Sequence, residues 1–178
     1  SNVADGRGNL YLDLDHWAAA EPGECAQGKL SITYDSTVEP NSLVAQFEDF
    51  ATGCSPDDVD YEHLGEVTYA YHRFSDGSGI FEFLADRDMH EGIHAPAVSE
   101  LFTIRSRWNA SGEGRSDILI TEGDLEIGEL TANECWNQFF HLTFAQTLPA
   151  MADPEHHYGS NSDCPADFQE ASYFTATE

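Results

Sequence analysis

Apolar and polar residues alternate along most of this chain with a period of two. Near the start, Leu10, Leu12 and Leu14 are separated by Tyr11 and Asp13. Because successive side chains of a β-strand point to opposite faces, this alternation predicts strands. Segments of the same kind recur at short intervals, at Leu30–Tyr34, Leu43–Phe50, Val67–Phe74, Ile80–Leu84, Val98–Trp108, Ile118–Thr121, Leu130–Cys135 and Phe139–Ala145.

Clusters of Gly, Asn, Asp and Ser separate these segments. The clearest is Ser75–Gly79, where two glycines supply the positive φ of a hairpin turn. Helical signals are short, at Ala95–Phe102 and Pro165–Ala171. The pattern predicts an all-β protein of about nine antiparallel strands with one or two short helices. We expect a two-sheet β-sandwich or jelly roll over residues 10–178, preceded by a polar leader or tether remnant at residues 1–9.

The charge balance narrows the range of partners. The 178 residues include 33 Asp and Glu but only 7 Lys and Arg, so the formal net charge is −26. Such a surface repels nucleic-acid phosphates and anionic lipid headgroups, which argues against both as partners. At 40% hydrophobic residues, the chain is nevertheless apolar enough to bury a core. Acidity therefore describes the surface of a folded domain.

Four scattered cysteines, Cys25, Cys54, Cys135 and Cys164, include no Cys-x-x-Cys pair. An even, scattered set in a small domain predicts two disulfides rather than a zinc ribbon or a redox motif. Three pairings are possible, and the spacing favours Cys25–Cys54 with Cys135–Cys164. Four free buried thiols are the alternative.

The chain also lacks an initiator Met and any long apolar run that would predict a transmembrane segment. Together with the cysteines, these features predict an exported protein: periplasmic, on the cell surface as a lipoprotein, or secreted.

His90, Glu91 and His94 form an H-E-x-x-H motif. On a helix, two histidines four residues apart bind Zn²⁺ and the glutamate acts as general base. These five residues resemble the motif of the zincin metallopeptidases, which implies a zinc cofactor and proteolysis. Gly92 within the motif and Pro96 after it disfavour such a helix, so the alternative is a loop that joins two strands.

A second metal-site candidate follows Cys54. Asp58, Asp60 and Glu62 alternate there, and a loop can turn such carboxylates onto Ca²⁺. The spacing fits no EF-hand loop. The alternative interpretation is a solvated acidic loop, which this composition produces readily.

Aromatic residues are further candidates for binding a ligand. Tyr69 and Tyr71 share one face of a predicted strand, while His72 and Phe74 share the other, so one of these faces meets solvent or a ligand. Trp17, Trp108 and Trp136 lie near predicted strand ends, where a ring could stack on a sugar or close the edge of the core.

One segment resembles a known group. Arg107–Trp108, then Gly112-x-Gly114-Arg115-x-Asp117, then Glu134–Trp136, is similar to segments of exported bacterial, lipoprotein-type proteins of unknown function. The resemblance implies no activity. It favours Arg107, Arg115, Asp117 and Trp136 as a structural cluster in which an Arg–Asp pair lies beside a tryptophan.

Two functions follow from these observations. The first is an exported, non-enzymatic binding or surface-interaction module with no cofactor and with a glycan or protein partner. The alternative is a secreted zinc metallopeptidase that uses His90, Glu91 and His94.

Overall fold

The computed structural model describes residues 6–20, 25–52, 62–88, 98–125, 127–149 and 157–174. It contains nine β-strands, one α-helix and two single-turn 3-10 helices within these ranges. In chain order the elements are β1 (Arg7–Asp13), α1 (Leu14–Ala20), β2 (Gln27–Asp35), β3 (Asn41–Thr52), β4 (Glu62–Arg73), β5 (Gly79–Arg87), β6 (Glu100–Trp108), β7 (Gly114–Glu122), β8 (Glu129–Trp136), β9 (Leu142–Leu148) and the 3-10 helices Asn161–Asp163 and Ala166–Phe168.

The strands form one open antiparallel sheet in which each strand pairs with its neighbours in the chain, from β1 at one edge to β9 at the other. The all-β class and the number of antiparallel strands are confirmed. The two-sheet sandwich is not confirmed, because the described strands all pair within a single sheet. A period of two identifies the two faces of a strand, and it carries no information on how many layers the strands build.

Several predicted element bounds were wrong. Leu14 begins α1 instead of ending a strand. The carboxylate of Asp13 accepts a hydrogen bond from the His16 N–H at 2.9 Å, which satisfies one of the free donors at the start of the helix. The local cap therefore outweighs the alternation. β1 begins at Arg7, so residues 7–9 of the predicted leader belong to the sheet.

The two predicted helices also differ from the structure. Residues 100–102 of the candidate Ala95–Phe102 belong to β6, while residues 95–97 lie outside the described ranges. The candidate Pro165–Ala171 contains only the 3-10 turn Ala166–Phe168. Residues 100–102 pair with neighbouring strands and Phe168 is buried, and short helical signals of this kind do not resist such packing.

Three turns of one type lie at the same end of the strands. They join β4 to β5, β6 to β7 and β8 to β9, and in each the first residue bonds to the residues three and four positions later. The first of these turns is the predicted Ser75–Gly79 hairpin. Its Asp76 carboxylate accepts hydrogen bonds from the Ser78 side chain and N–H, which hold the pKa of Asp76 below its ordinary value. The last turn includes Phe139 and Phe140, which the sequence assigned to β9.

The C-terminal segment, residues 157–174, follows β9. Tyr158 forms a β-bridge with Ala145 of β9, and the predicted disulfide Cys135–Cys164 fastens the segment to β8. Phe168 is buried, as are both cysteines and Phe144. A compact core therefore lies between this segment and one face of β7–β9.

Candidate functional site

The strand register divides the sheet into two faces of different character. On one face the C-terminal segment lies over polar residues of β6, β7 and β8. The other face carries aromatic residues on five consecutive strands, and we call it the aromatic face. Its members are Tyr34 of β2, Phe47 and Phe50 of β3, Tyr69 and Tyr71 of β4, Phe81 and Phe83 of β5, and Phe102 and Trp108 of β6.

These rings form a ladder that crosses the strands. Phe47 lies 6.4 Å from Tyr69, and Tyr69 lies 4.8 Å from Phe83, measured between ring centroids. Phe83 continues the row to Phe102 at 5.8 Å, with the rings edge to face. Such spacings are those of favourable aromatic pairs, each worth about 0.5–1.5 kcal/mol beyond the area that the rings bury. The ladder is therefore ordered before any ligand arrives.

A second contact lies beside the row. The ring of Tyr71 stacks on that of Trp108 at 5.8 Å with an interplanar angle of 29°. Tyr71 and Tyr69 are 39% and 40% exposed, although their partners in the ladder are half-buried. The tyrosines thus present partly free ring surfaces on a rigid base of phenylalanine and tryptophan.

The middle of the aromatic face carries no charge among the described positions. Apart from Ser106 of β6, the residues that share it in β3, β4, β5 and the facing part of β6 are apolar or aromatic: Leu43, Ala45, Phe47, Val67, Tyr69, Tyr71, Phe81, Phe83, Ala85, Phe102 and Ile104. This lack of charged side chains contrasts with the net charge of −26 of the whole chain. Of these residues, Leu43, Tyr69 and Tyr71 are exposed, whereas Val67 and Ala85 are buried. Exposed apolar side chains that lie together in this way mark binding sites.

Both strand-end tryptophans have structural partners. Trp108 lies over Gly79 of β5 and Trp136 over Gly114 of β7, so closely that a Cβ on either glycine would collide with the indole. Each indole N–H is also satisfied, Trp108 by the carbonyl of Gly77 at 3.2 Å and Trp136 by a turn carbonyl at 2.8 Å. An aromatic ring over a cross-strand glycine shields backbone that would otherwise be exposed. Trp17, the third tryptophan, lies in α1 and is 46% exposed.

The predicted Arg–Asp cluster exists on the opposite face and serves the C-terminal segment. Asp117 is fully buried and accepts hydrogen bonds from Arg115, from Arg107 at 3.4 Å and from Asn133 at 2.8 Å. The backbone N–H of Ser172 adds a further bond at 2.9 Å. Because its oxygens are occupied by the chain itself, this carboxylate is a structural anchor and not a free base.

Arg115 completes the anchor. Its guanidinium donates to the Asn161 side chain at 2.8 Å and to the Phe168 carbonyl at 3.1 Å. Arg115 also lies over the Phe144 ring, 5.8 Å from its centroid. The sequence placed Trp136 beside this pair. That prediction was wrong, because Trp136 follows Cys135 in β8 and therefore points to the other face.

The predicted metal-site residues cannot be located in space. His90, Glu91, His94, Asp58 and Asp60 lie outside the described residues, and Glu62 is described only as the first residue of β4. Within the described ranges, no three His, Cys, Asp or Glu side chains lie close enough together to bind a metal ion. Both metal hypotheses therefore stay predictions.

One of the two predicted disulfides is confirmed. Cys135–Cys164 is formed, with a sequence separation of 29. Cys25 is disulfide-bonded too. Cys54 lies outside the described residues, so the predicted Cys25–Cys54 pair stays a prediction.

The sequence identified Tyr69 and Tyr71 as neighbours on one face but missed their partners in the ladder. The alternation of Phe81 with Phe83 was a signal of the same kind. What it lacked was the register that sets Tyr69 opposite Phe83, because pairing across strands is a property of the folded sheet.

Two further findings concern the helices of the chain and its similarity to known proteins. None of the helices in the described part of the chain combines the length and apolarity needed to cross a membrane. Comparison with family models, curated proteins and solved structures finds no match to this chain. The aromatic face, with the exposed rings of Tyr69 and Tyr71, is the candidate functional site.

Proposed function

We propose that this protein is an exported, non-enzymatic binding module whose aromatic face binds a neutral polysaccharide. The observation that carries the proposal is the ladder of rings across β3–β6, with Tyr69 and Tyr71 partly free at its centre. Sugar rings have apolar C–H faces, and a preorganised aromatic ring offers them contact area at little conformational cost.

The shape of the face favours an extended glycan over a compact ligand. The ladder spans four adjacent strands, and neighbouring strands lie about 4.8 Å apart, so the platform is roughly 14 Å across. A flat, extended chain such as a β-1,4-glucan can contact several rings along such a row. The charge-free centre of the face suits the same ligand.

The net charge selects against charged glycans. At −26, the protein repels uronate-rich and sulfated polymers over distances of about a Debye length, roughly 8 Å at physiological ionic strength. A neutral polymer experiences no such repulsion. The proposal is consistent with the Cys135–Cys164 disulfide, because disulfides persist where extracellular polysaccharides occur.

The test is affinity electrophoresis in gels that contain hydroxyethylcellulose, followed by calorimetry with cellohexaose. We expect retarded migration of the wild-type protein. Tyr69→Ala and Tyr71→Ala should each weaken binding about tenfold, the equivalent of one stacked ring at about 1.4 kcal/mol. Tyr158→Ala is the matched control, since Tyr158 is an exposed tyrosine beside β9, away from the ladder.

Two results would contradict the proposal. One is unretarded migration of the wild-type protein, and the other is retardation that Tyr69→Ala and Tyr71→Ala leave unchanged.

The H-E-x-x-H motif supplies the competing function, a secreted zinc metallopeptidase that uses His90, Glu91 and His94. Elemental analysis of protein purified without chelator separates the two functions. About one zinc per chain, lost in His94→Ala, would favour the peptidase. Absence of zinc from the wild-type protein would remove this alternative.

A further inference from the structure

We propose that the protein forms a symmetric dimer through strand β1, whose free edge pairs with the same strand of a second copy. The two edges of the sheet differ in a way that suggests this. At β9 the bridge between Ala145 and Tyr158 covers part of the edge. Among the described residues, β1 pairs only with β2.

β1 lacks the features that usually protect a free edge. Its seven residues include no proline, no lysine and no bulge, and all of them except Gly8 are exposed. Leu10, Tyr11 and Leu12 are 49%, 60% and 43% exposed. An exposed edge strand with an apolar centre of this kind is a template for another strand.

The hydrogen-bond pattern shows which groups of β1 point outward. Gly6, which precedes the strand, accepts a hydrogen bond from the Ser36 N–H at 2.9 Å, and its own N–H donates to the Ser36 side chain at 2.8 Å. Backbone groups alternate in direction along an antiparallel strand. Gly8, Leu10 and Leu12 therefore also face β2, which leaves the N–H and C=O groups of the intervening residues pointing away from the sheet.

The sequence of β1 is complementary to itself in the antiparallel direction, and this argues for a second copy as the occupant. With Leu10 opposite Leu10 of the second copy, Arg7 lies opposite Asp13 and Asn9 lies opposite Tyr11. Each copy supplies one Arg7 and one Asp13, so the contact gains two ion pairs. Within each copy Arg7 also lies opposite Asp35 of β2 and Asp13 lies opposite Lys29, so charges of opposite sign alternate across the joined strands.

The register agrees with the direction of the backbone groups. The residues that point outward are Arg7, Asn9, Tyr11 and Asp13, and the symmetric register sets each of them opposite another member of the same set. The interface is then an isologous two-fold contact. It joins two nine-stranded sheets into one, with the aromatic faces of both copies on the same side.

Sedimentation velocity over a dilution series tests the dimer. It is best done at about 0.3 M NaCl, where the Debye length is below about 8 Å and repulsion between two copies of charge −26 is screened. We expect a species of twice the 19.7 kDa chain mass at high concentration. A monomer at every concentration would overturn the proposal.

Charge reversal tests the register. Arg7→Asp or Asp13→Arg alone sets like charges opposite each other and should weaken dimerisation about tenfold, while the double variant R7D/D13R should restore it. Glu129→Arg, at the exposed start of β8, changes the net charge in the same direction and by the same amount as Asp13→Arg and is the matched control for that variant. A dimer that is indifferent to the single reversals, or a double variant as weak as either single one, would overturn the register.

Asn9→Pro provides a second test that leaves the pairing of β1 with β2 intact. The Asn9 N–H points away from β2, so its loss removes a bond only at the proposed interface. We expect a monomer with an unchanged circular dichroism spectrum. A dimer as stable as that of the wild type would contradict the proposal.

Discussion

Phe140 occupies a turn position that the two equivalent hairpins give to glycine. Gly77 and Gly112 have φ of 92° and 89° at this position, and Phe140 has φ of 59°. A residue with a Cβ is disfavoured in this left-handed region. The Phe140 side chain is 77% exposed, so packing does not offset the cost. The β8–β9 turn is therefore strained at Phe140, as the backbone is at Asp49 and Glu122, which also have positive φ.

We predict that Phe140→Gly stabilises the protein by roughly 0.5–1 kcal/mol. The left-handed conformation costs about 1–2 kcal/mol for a residue with a Cβ, and the greater unfolded-state entropy of glycine cancels about 0.4–1 kcal/mol of the gain. Urea unfolding followed by circular dichroism measures the difference. Phe139→Gly is the control, because Phe139 is also exposed but has no positive φ, and its replacement should lower stability. Equal effects of both changes would contradict the assignment of strain to Phe140.

At the scale of elements, the C-terminal segment is the part of the molecule that depends most on distant partners. Its backbone bonds to Arg107, Arg115 and Asp117, which lie on β6 and β7 and are more than 50 residues away in the chain. The Cys135–Cys164 disulfide restrains its first part. Beyond Cys164, its position depends on the buried carboxylate of Asp117.

We predict that Asp117→Asn lowers the free energy of unfolding by about 3–5 kcal/mol, because it leaves the buried guanidinium of Arg115 without its counter-charge. Residues 166–174 should lose amide protection first, which hydrogen exchange measures region by region. Asp167→Asn is the control, since Asp167 is exposed and its neutralisation should change stability by less than about 0.5 kcal/mol. Unchanged protection of the segment in D117N would contradict the anchoring role.

At the scale of the whole molecule, charge and apolar surface are segregated. A net charge of −26 coexists with an aromatic face whose centre is uncharged in the described residues. Self-repulsion opposes the compact state, and dissolved salt screens it. The stability of the protein should therefore respond strongly to ionic strength.

We predict that the melting temperature rises with NaCl, and that CaCl₂ at matched ionic strength raises it further if Asp58, Asp60 and Glu62 bind Ca²⁺. A ligand that binds only the folded state stabilises it. Differential scanning fluorimetry measures both responses, and Asp58→Asn should abolish the calcium increment alone. Equal increases in melting temperature with the two salts would contradict specific Ca²⁺ binding, since screening of the acidic charges would then account for both increases.

The strands follow from the sequence alone, because a period of two is a local property that survives in any sheet. The sequence also predicted the Cys135–Cys164 disulfide and the turn at Gly77, and its resemblance to exported proteins favoured the cluster of Arg115 with Asp117. It did not reveal α1, whose start depends on one capping bond to Asp13.

Only the tertiary structure decided how the strands are arranged. Strand alternation is the same in a sandwich and in a single sheet, so the choice of one open sheet in chain order lay beyond the sequence. The same holds for the aromatic ladder, since a slip of one residue in register would move Phe83 to the opposite face from Tyr69. Trp136 shows the reverse case, a residue adjacent to the Arg–Asp cluster in sequence and separated from it by the sheet. Which side chains meet is a property of register and face, and these are fixed by contacts between strands.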